Sequence, residues 1–195
     1  MTLQRADLWS LEEYSEKRFD FRKEIIEHKK NRQVSLNQHI RLLFEDEKTI
    51  RYQIQEMLRI EKVFTVDGIN DELNAYNPLI PNGSNLKATL MIEYADIDER
   101  RVALEKLTGV EKQIWIQVDG YDKVFAIADE DLERENETKT SSVHFCRFEF
   151  STEMIAQAHN GAEVTIGCDH QMLNQASVAL TGDTRASLLS DLVVS

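Results

Sequence analysis

The stretch Gln113-Ile114-Trp115-Ile116-Gln117-Val118-Asp119-Gly120-Tyr121-Asp122-Lys123-Val124-Phe125-Ala126-Ile127-Ala128 decides the fold class. Two runs rich in β-branched and aromatic residues flank Asp119-Gly120, a dipeptide suited to the positive φ of a tight turn. The spacing predicts an antiparallel hairpin over 113–128. Downstream, residues 142–150 alternate apolar and polar types and read as a strand of the same sheet. Upstream, residues 86–94 carry strand formers, and 33–37 with 40–44 read as a short hairpin. A further strand is expected over 162–168.

Helical spacing fills the rest. Ser10 and Glu13 have the separation of a capping box, and Leu11, Tyr14, Phe21 and Ile25 form a stripe within a helix expected over 7–30. Further helices are expected over 47–64, 68–76, 97–107 (stopped by Gly109), 152–159 (capped by Thr152) and 183–192 (capped by Asp183). Hairpins outnumber crossovers, so the reading is α+β with a mostly antiparallel sheet packed by several helices. One domain is expected over 1–195, helix-rich at its N-terminal part and strand-rich over 86–170.

Composition narrows function by exclusion. Asp and Glu number 35 against 23 Lys and Arg, a formal charge of -12. An acidic surface disfavours phosphate backbones and anionic bilayers, so neither nucleic acid nor a membrane is expected as a partner. The one basic patch, His28, Lys29, Lys30 and Arg32, suits the negative pole of the helix it ends, or a phosphate. No apolar run approaches the roughly 20 residues of a span, and the first residues lack a signal peptide's apolar region. With only Cys146 and Cys168, a reducing cytoplasm is the expected compartment. Glycine-rich phosphate loops, Gly-x-Ser-x-Gly, His-Glu-x-x-His and Cys-x-x-Cys are absent from the sequence.

Three polar constellations remain. His144 and Cys146 share a strand face, and Cys168-Asp169-His170 follows another strand. Convergence of the two would offer zinc-type ligands; the plainer reading is two buried thiols and two hydrogen-bonded histidines. Arg147 and Glu149 lie on the face opposite His144, suited to cross-strand ion pairs, and Glu93 is a carboxylate that could approach either face. On the second helix Arg51, Gln55 and Arg59 stack at i, i+4, i+8 with Glu56 beside them, a docking face or a solvated one. Pro78 and Pro81 mark a loop of a length enriched for function.

Several segments together carry a family resemblance: Glu27-His28-Lys29-Lys30-Asn31-Arg32, Phe44-Glu45-Asp46, residues 51–61, Tyr76-Asn77-Pro78-Leu79-Ile80-Pro81, Lys87-Ala88-Thr89 and Thr140-Ser141-Ser142-Val143-His144-Phe145. The chain resembles the bacterial domain-of-unknown-function family 3501 across most of its length. The resemblance implies genomic company with rubrerythrin-like and iron–sulfur proteins, and through it a role in redox or oxidative-stress metabolism. It also implies that His144 and His170 stand at histidine positions, while Cys146 and Cys168 depart from the pattern. A His/carboxylate site for iron suits that better than a Cys/His zinc site.

The expectation is therefore a non-catalytic accessory protein. It would bind a rubrerythrin-like or iron–sulfur partner through Arg51, Gln55, Glu56, Arg59, Pro78 and Pro81. The alternative is a metal-binding protein or metal-dependent enzyme, holding iron or zinc through His144, His170, Glu93 and Asp169.

Overall fold

The computed structural model describes residues 2–130, 139–174 and 176–193. The expected hairpin forms: β4 (Ile114–Val118) pairs antiparallel with β5 (Val124–Phe125), with Trp115 opposite Phe125 and Gly120 at φ +85° in the turn. Its second strand then breaks. Ala126 N donates to Ile114 O at 2.9 Å, and the chain leaves for a different sheet as β6 (Ile127–Ala128). There it pairs with β7 (Val143–Glu149). Two sheets therefore replace the single one expected, and β7 does not join the hairpin's sheet.

The first sheet runs β1-β2-β3-β7-β6, with β1 (Gln33–Ser35), β2 (Ile40–Glu45) and β3 (Asn85–Ile92). The second runs β5-β4-β8-β9, with β8 (Val164–Cys168) and β9 (Ser177–Ala179), a short edge strand the sequence pattern missed. Among the described residues every strand pairing in both sheets is antiparallel, and with six α-helices the fold is α+β.

Alternation then sorts the side chains. In the first sheet Leu42, Phe44, Leu86, Ala88, Leu90, Cys146 and Phe148 turn inward and are buried. Ile114, Ile116, Val164, Ile166 and Cys168 of the second sheet join them in one core. α5 (Thr152–His159) adds Ile155 and Ala158, and α6 (Gly182–Leu189) adds Leu188 and Leu189. The caps of these two helices sit one or two residues earlier than the sequence pattern suggests. Ser151 Oγ accepts from Met154 N at 3.3 Å, and Thr181 occupies the position ahead of α6. On the far side of the second sheet the Trp115 ring lies across Gly167, where a Cβ would come within 2.3 Å of it.

The outer face of the first sheet is covered by the N-terminal helices. α1 (Leu11–Lys30) starts at the Ser10–Glu13 capping box. α2 (Glu47–Glu61) follows the Asp46 cap, and α3 (Val66–Tyr76) follows Thr65. Ile50, Ile54, Leu58, Leu73 and Ile80 make a second cluster there, and Tyr14, Phe21 and Ile25 a third. α4 (Ile97–Lys106) starts at Asp96, and Leu107 just beyond it is buried in the main core. Among the described residues no helix is long and apolar enough to cross a membrane.

Candidate functional site

The helical cover leaves a gap. A cavity of about 690 Å³ opens between the outer face of the first sheet and the α2–α3 layer, beneath the turn containing Pro78. Antiparallel register builds its floor. Glu45 on β2 stands opposite Lys87 on β3, Lys87 opposite Arg147 on β7, and Arg147 opposite Ile127 on β6. Phe145 lies two residues from Arg147 on the same face. The facing wall is Met57 of α2 with Ala75, Tyr76, Pro78 and Leu79. Asn77 fixes that wall: its Oδ1 accepts from Leu3 N at 2.8 Å and its Nδ2 donates to Leu3 O at 2.9 Å.

Most charges on the floor are satisfied by one another. Arg147 donates to Glu130 through Nε and Nη2, both at 2.7 Å, and to Glu149 through Nη1. Glu149 also accepts from Asn85 at 2.7 Å and Ser84 at 3.2 Å. Glu45 accepts from the Thr49 and Thr89 hydroxyls at 2.7 and 3.0 Å. Lys87 differs. Its ammonium donates to the Pro78 carbonyl, and no carboxylate among the described residues lies within ion-pair distance of it. Burial, and then the guanidinium of Arg147 opposite, pull the Lys87 amine below the usual lysine range. Burial also raises the Glu72 carboxyl at the cavity wall.

The face expected to dock a partner packs against α1 instead. Gln55 is fully buried; its Oε1 accepts from Trp9 N at 2.7 Å and its Nε2 donates to Trp9 O. The Arg51 guanidinium lies 4.3 Å from the Trp9 ring centre. Glu56 accepts from Tyr14 OH and from two Arg18 nitrogens at 2.7–2.8 Å, with Arg59 at 3.4 Å. These bonds, Arg18 first, hold the Glu56 carboxyl at about 2. The i, i+4, i+8 pattern is thus the polar seam of a helix pair, with only Arg59 of the four exposed. Pro78 does line the cavity, while Pro81 lies beyond it and partly buried.

His28 and Arg32 of the basic patch also turn inward, while Lys30 stays exposed and pairs with Glu27. Arg32 is only 2% exposed and donates to Phe44 O, Glu45 O, Ser187 and Asp191. Asp46 stands 3.3 Å from it and is bonded to His28 at 2.6 Å. These interactions account for His28 and Arg32 without a phosphate.

The four expected metal ligands lie in separate settings. His144 is on the inner face of β7, its Nδ1 2.5 Å from Asp129 and its Nε2 2.8 Å from Thr140 Oγ1. His170 caps a short turn after β8, its Nδ1 accepting from Met172 N at 3.3 Å. Asp169 accepts from Trp115 Nε1 and Lys123 Nζ at 2.7 Å. Glu93 pairs with Arg41. Among the described residues no three His, Cys, Asp or Glu side chains are grouped to hold a metal ion. Both thiols are buried, which pushes Cys168 up to about 11 and Cys146 higher still.

Lys87 and Glu45 escaped the sequence reading, although both fall in the segments quoted for the resemblance. The alternation of β3 could have paired Lys87 with Arg147 once the strand order was known. Arg147 and Glu149 do form an ion pair, along one strand rather than across two.

A crystal structure of a novel protein of unknown function from Burkholderia pseudomallei K96243 superposes with a TM-score of 0.93 at 52% sequence identity, covering 99% of this chain and 100% of that one. A search of the curated proteins finds no match. Residues 2–192 match the family described as "Protein of unknown function (DUF3501)", and the chain belongs to that family.

Proposed function

We propose that this protein is a non-catalytic binding protein and that the cavity beneath Pro78 receives a small molecule with an apolar body. One observation carries the reading: an amphipathic cavity of about 690 Å³ with a mostly apolar facing wall and a floor that carries Glu45, Lys87, Glu130 and Arg147. That volume falls within the roughly 300–1,000 Å³ of small-molecule sites. The pairing of Arg147 with Glu130 and Glu149, and the two hydroxyls on Glu45, favour holding over chemistry, because groups locked in ion pairs and hydroxyl bonds are poor proton carriers. The setting proposed is the redox metabolism that the family resemblance suggests, as an accessory to a rubrerythrin-like or iron–sulfur protein.

The test is binding of the apolar fluorophore 8-anilinonaphthalene-1-sulfonate and of decanol to the full chain. Ala75→Trp, on the exposed side of α3, fills the mouth of the cavity. Saturable binding by wild type, lost in the folded Ala75→Trp protein, is expected. Binding unaffected by Ala75→Trp would place the apolar site elsewhere and end the proposal.

A further inference from the structure

The cavity's charges specify more than its volume does. Arg147 engages two carboxylates, and Glu45 engages two hydroxyls. Lys87, between them in the register, has only a backbone carbonyl. An ammonium carries three donors, so two stay unclaimed after the bond to Pro78. Placing Lys87 directly across from Arg147 sets like charges together in a half-buried position, an arrangement that disfavours the sheet. Burial first, and then the Arg147 guanidinium, lower the Lys87 amine pKa, and the Glu130 and Glu149 carboxylates offset this only in part. Around this cation Met57, Tyr76, Leu79, Ile127 and Phe145 supply apolar surface, while the floor carboxylates Glu45 and Glu130 are already engaged by Thr49, Thr89 and Arg147, and Glu72 stands at the wall.

We propose that the cavity takes a carboxylate with an aliphatic or aromatic body, and that the head is held by Lys87 while the body lies against the wall beneath Pro78. The inference rests on the binding reading above and adds the head group to it. A carboxylate at Lys87 forms a charge-assisted hydrogen bond and offsets the repulsion from Arg147. Arg147 is a positioning residue: with its donors occupied by Glu130 and Glu149, it orients the floor and leaves the head to Lys87.

The probes are decanoate, decanol and decyltrimethylammonium, titrated calorimetrically below their micelle concentrations into wild type, Lys87→Met, Lys87→Arg and Ala75→Trp. Decanoate is expected to bind wild type about tenfold or more tighter than decanol, as a charged hydrogen bond allows. Lys87→Met should erase that difference and leave decanol unchanged, Lys87→Arg should keep part of it, and Ala75→Trp should block both ligands. Equal affinity of wild type for decanoate and decanol, with both blocked by Ala75→Trp, would overturn the role of Lys87 and spare the binding cavity. Tightest binding of decyltrimethylammonium would overturn the sign of the head group and move it to Glu72. Failure of every probe to bind would overturn both readings.

Discussion

The two faces of β3 and β7 are built from alternate residues of the same strands, yet they are different environments. Inward, Leu86, Ala88, Leu90, Cys146 and Phe148 meet the second sheet with no polar partner needed. Only His144 interrupts them, satisfied by Asp129 and Thr140. Outward, Lys87, Thr89, Arg147 and Glu149 face helices that cover them incompletely. Close packing is what holds the inner face, and each atom removed there loses both transfer energy and contacts. The outer face keeps a cavity and, at Lys87, a cation whose hydrogen-bond partner is a backbone carbonyl, the two features on which the proposed recognition rests. The cavity beneath Pro78 therefore lies on the helix-covered side of the sheet, away from the second sheet.

The largest effect should come from the inner face. Phe148→Ala is expected to cost about 3–5 kcal/mol, read from urea or thermal unfolding. A loss below about 1 kcal/mol would show that the inner face is loosely packed and break the contrast.

The polar seam between α1 and α2 gives the next measure, because there Glu56 is paired with Arg18 and bonded to Tyr14. Glu56→Gln is expected to cost about 1.5–3 kcal/mol at neutral pH, the range of hydrogen bonds to charged groups. The folded carboxyl titrates at about 2 against an ordinary 4.5, so its contribution is present above that ordinary value. It is lost as pH falls from 4.5 towards 2. Wild-type stability should therefore approach that of Glu56→Gln on acidification, as chemical denaturation at successive pH values would read. A constant gap between them would mean that Glu56 acts through packing alone.

Gly167→Ala tests the far side of the second sheet. The new Cβ would enter the Trp115 ring, and overpacking of this kind costs about 1–3 kcal/mol. A shift in Trp fluorescence should accompany the loss; unchanged stability and emission would mean that the ring moves aside freely.

The smallest effect belongs to the cavity floor. Lys87→Met should change stability by less than about 0.5 kcal/mol, or raise it slightly by relieving the repulsion from Arg147. A loss comparable to that of Phe148→Ala would make Lys87 a structural residue and erase the distinction between the faces.

The sequence made the elements legible and their partners much less so. Asp119-Gly120 announced its turn because positive φ selects such residues, and Ser10 with Glu13 announced a helix start. What local pattern cannot carry is the crossing at Ala126, since nothing in Val124-Phe125-Ala126-Ile127-Ala128 distinguishes one continuous strand from two short ones in different sheets. The candidate site suffered for the same reason. Arg51, Gln55 and Glu56 were legible as a polar stripe, but whether such a stripe meets solvent or Trp9, Tyr14 and Arg18 is a tertiary fact. Lys87 became visible only when register placed it between Glu45 and Arg147. The alternation that put Arg147 and Glu149 on one face, away from His144, did come through, because a period of two needs no neighbour to be read.

The guanidinium of Arg32 bears on the order in which the chain matures. Its bonds reach a short way forward to Phe44 and Glu45, and much farther to Ser187 and Asp191, at a sequence separation of up to 159 residues. During synthesis, α1, β1 and β2 emerge long before the carboxylate that completes this site. Until then Arg32 has Asp46 and the Phe44 and Glu45 carbonyls, but not Ser187 or Asp191. Contacts of such long sequence separation carry a loop-closure cost and slow folding. The Arg32 hydrogen-bond set is complete only once α6 and the turn beyond it have been synthesised.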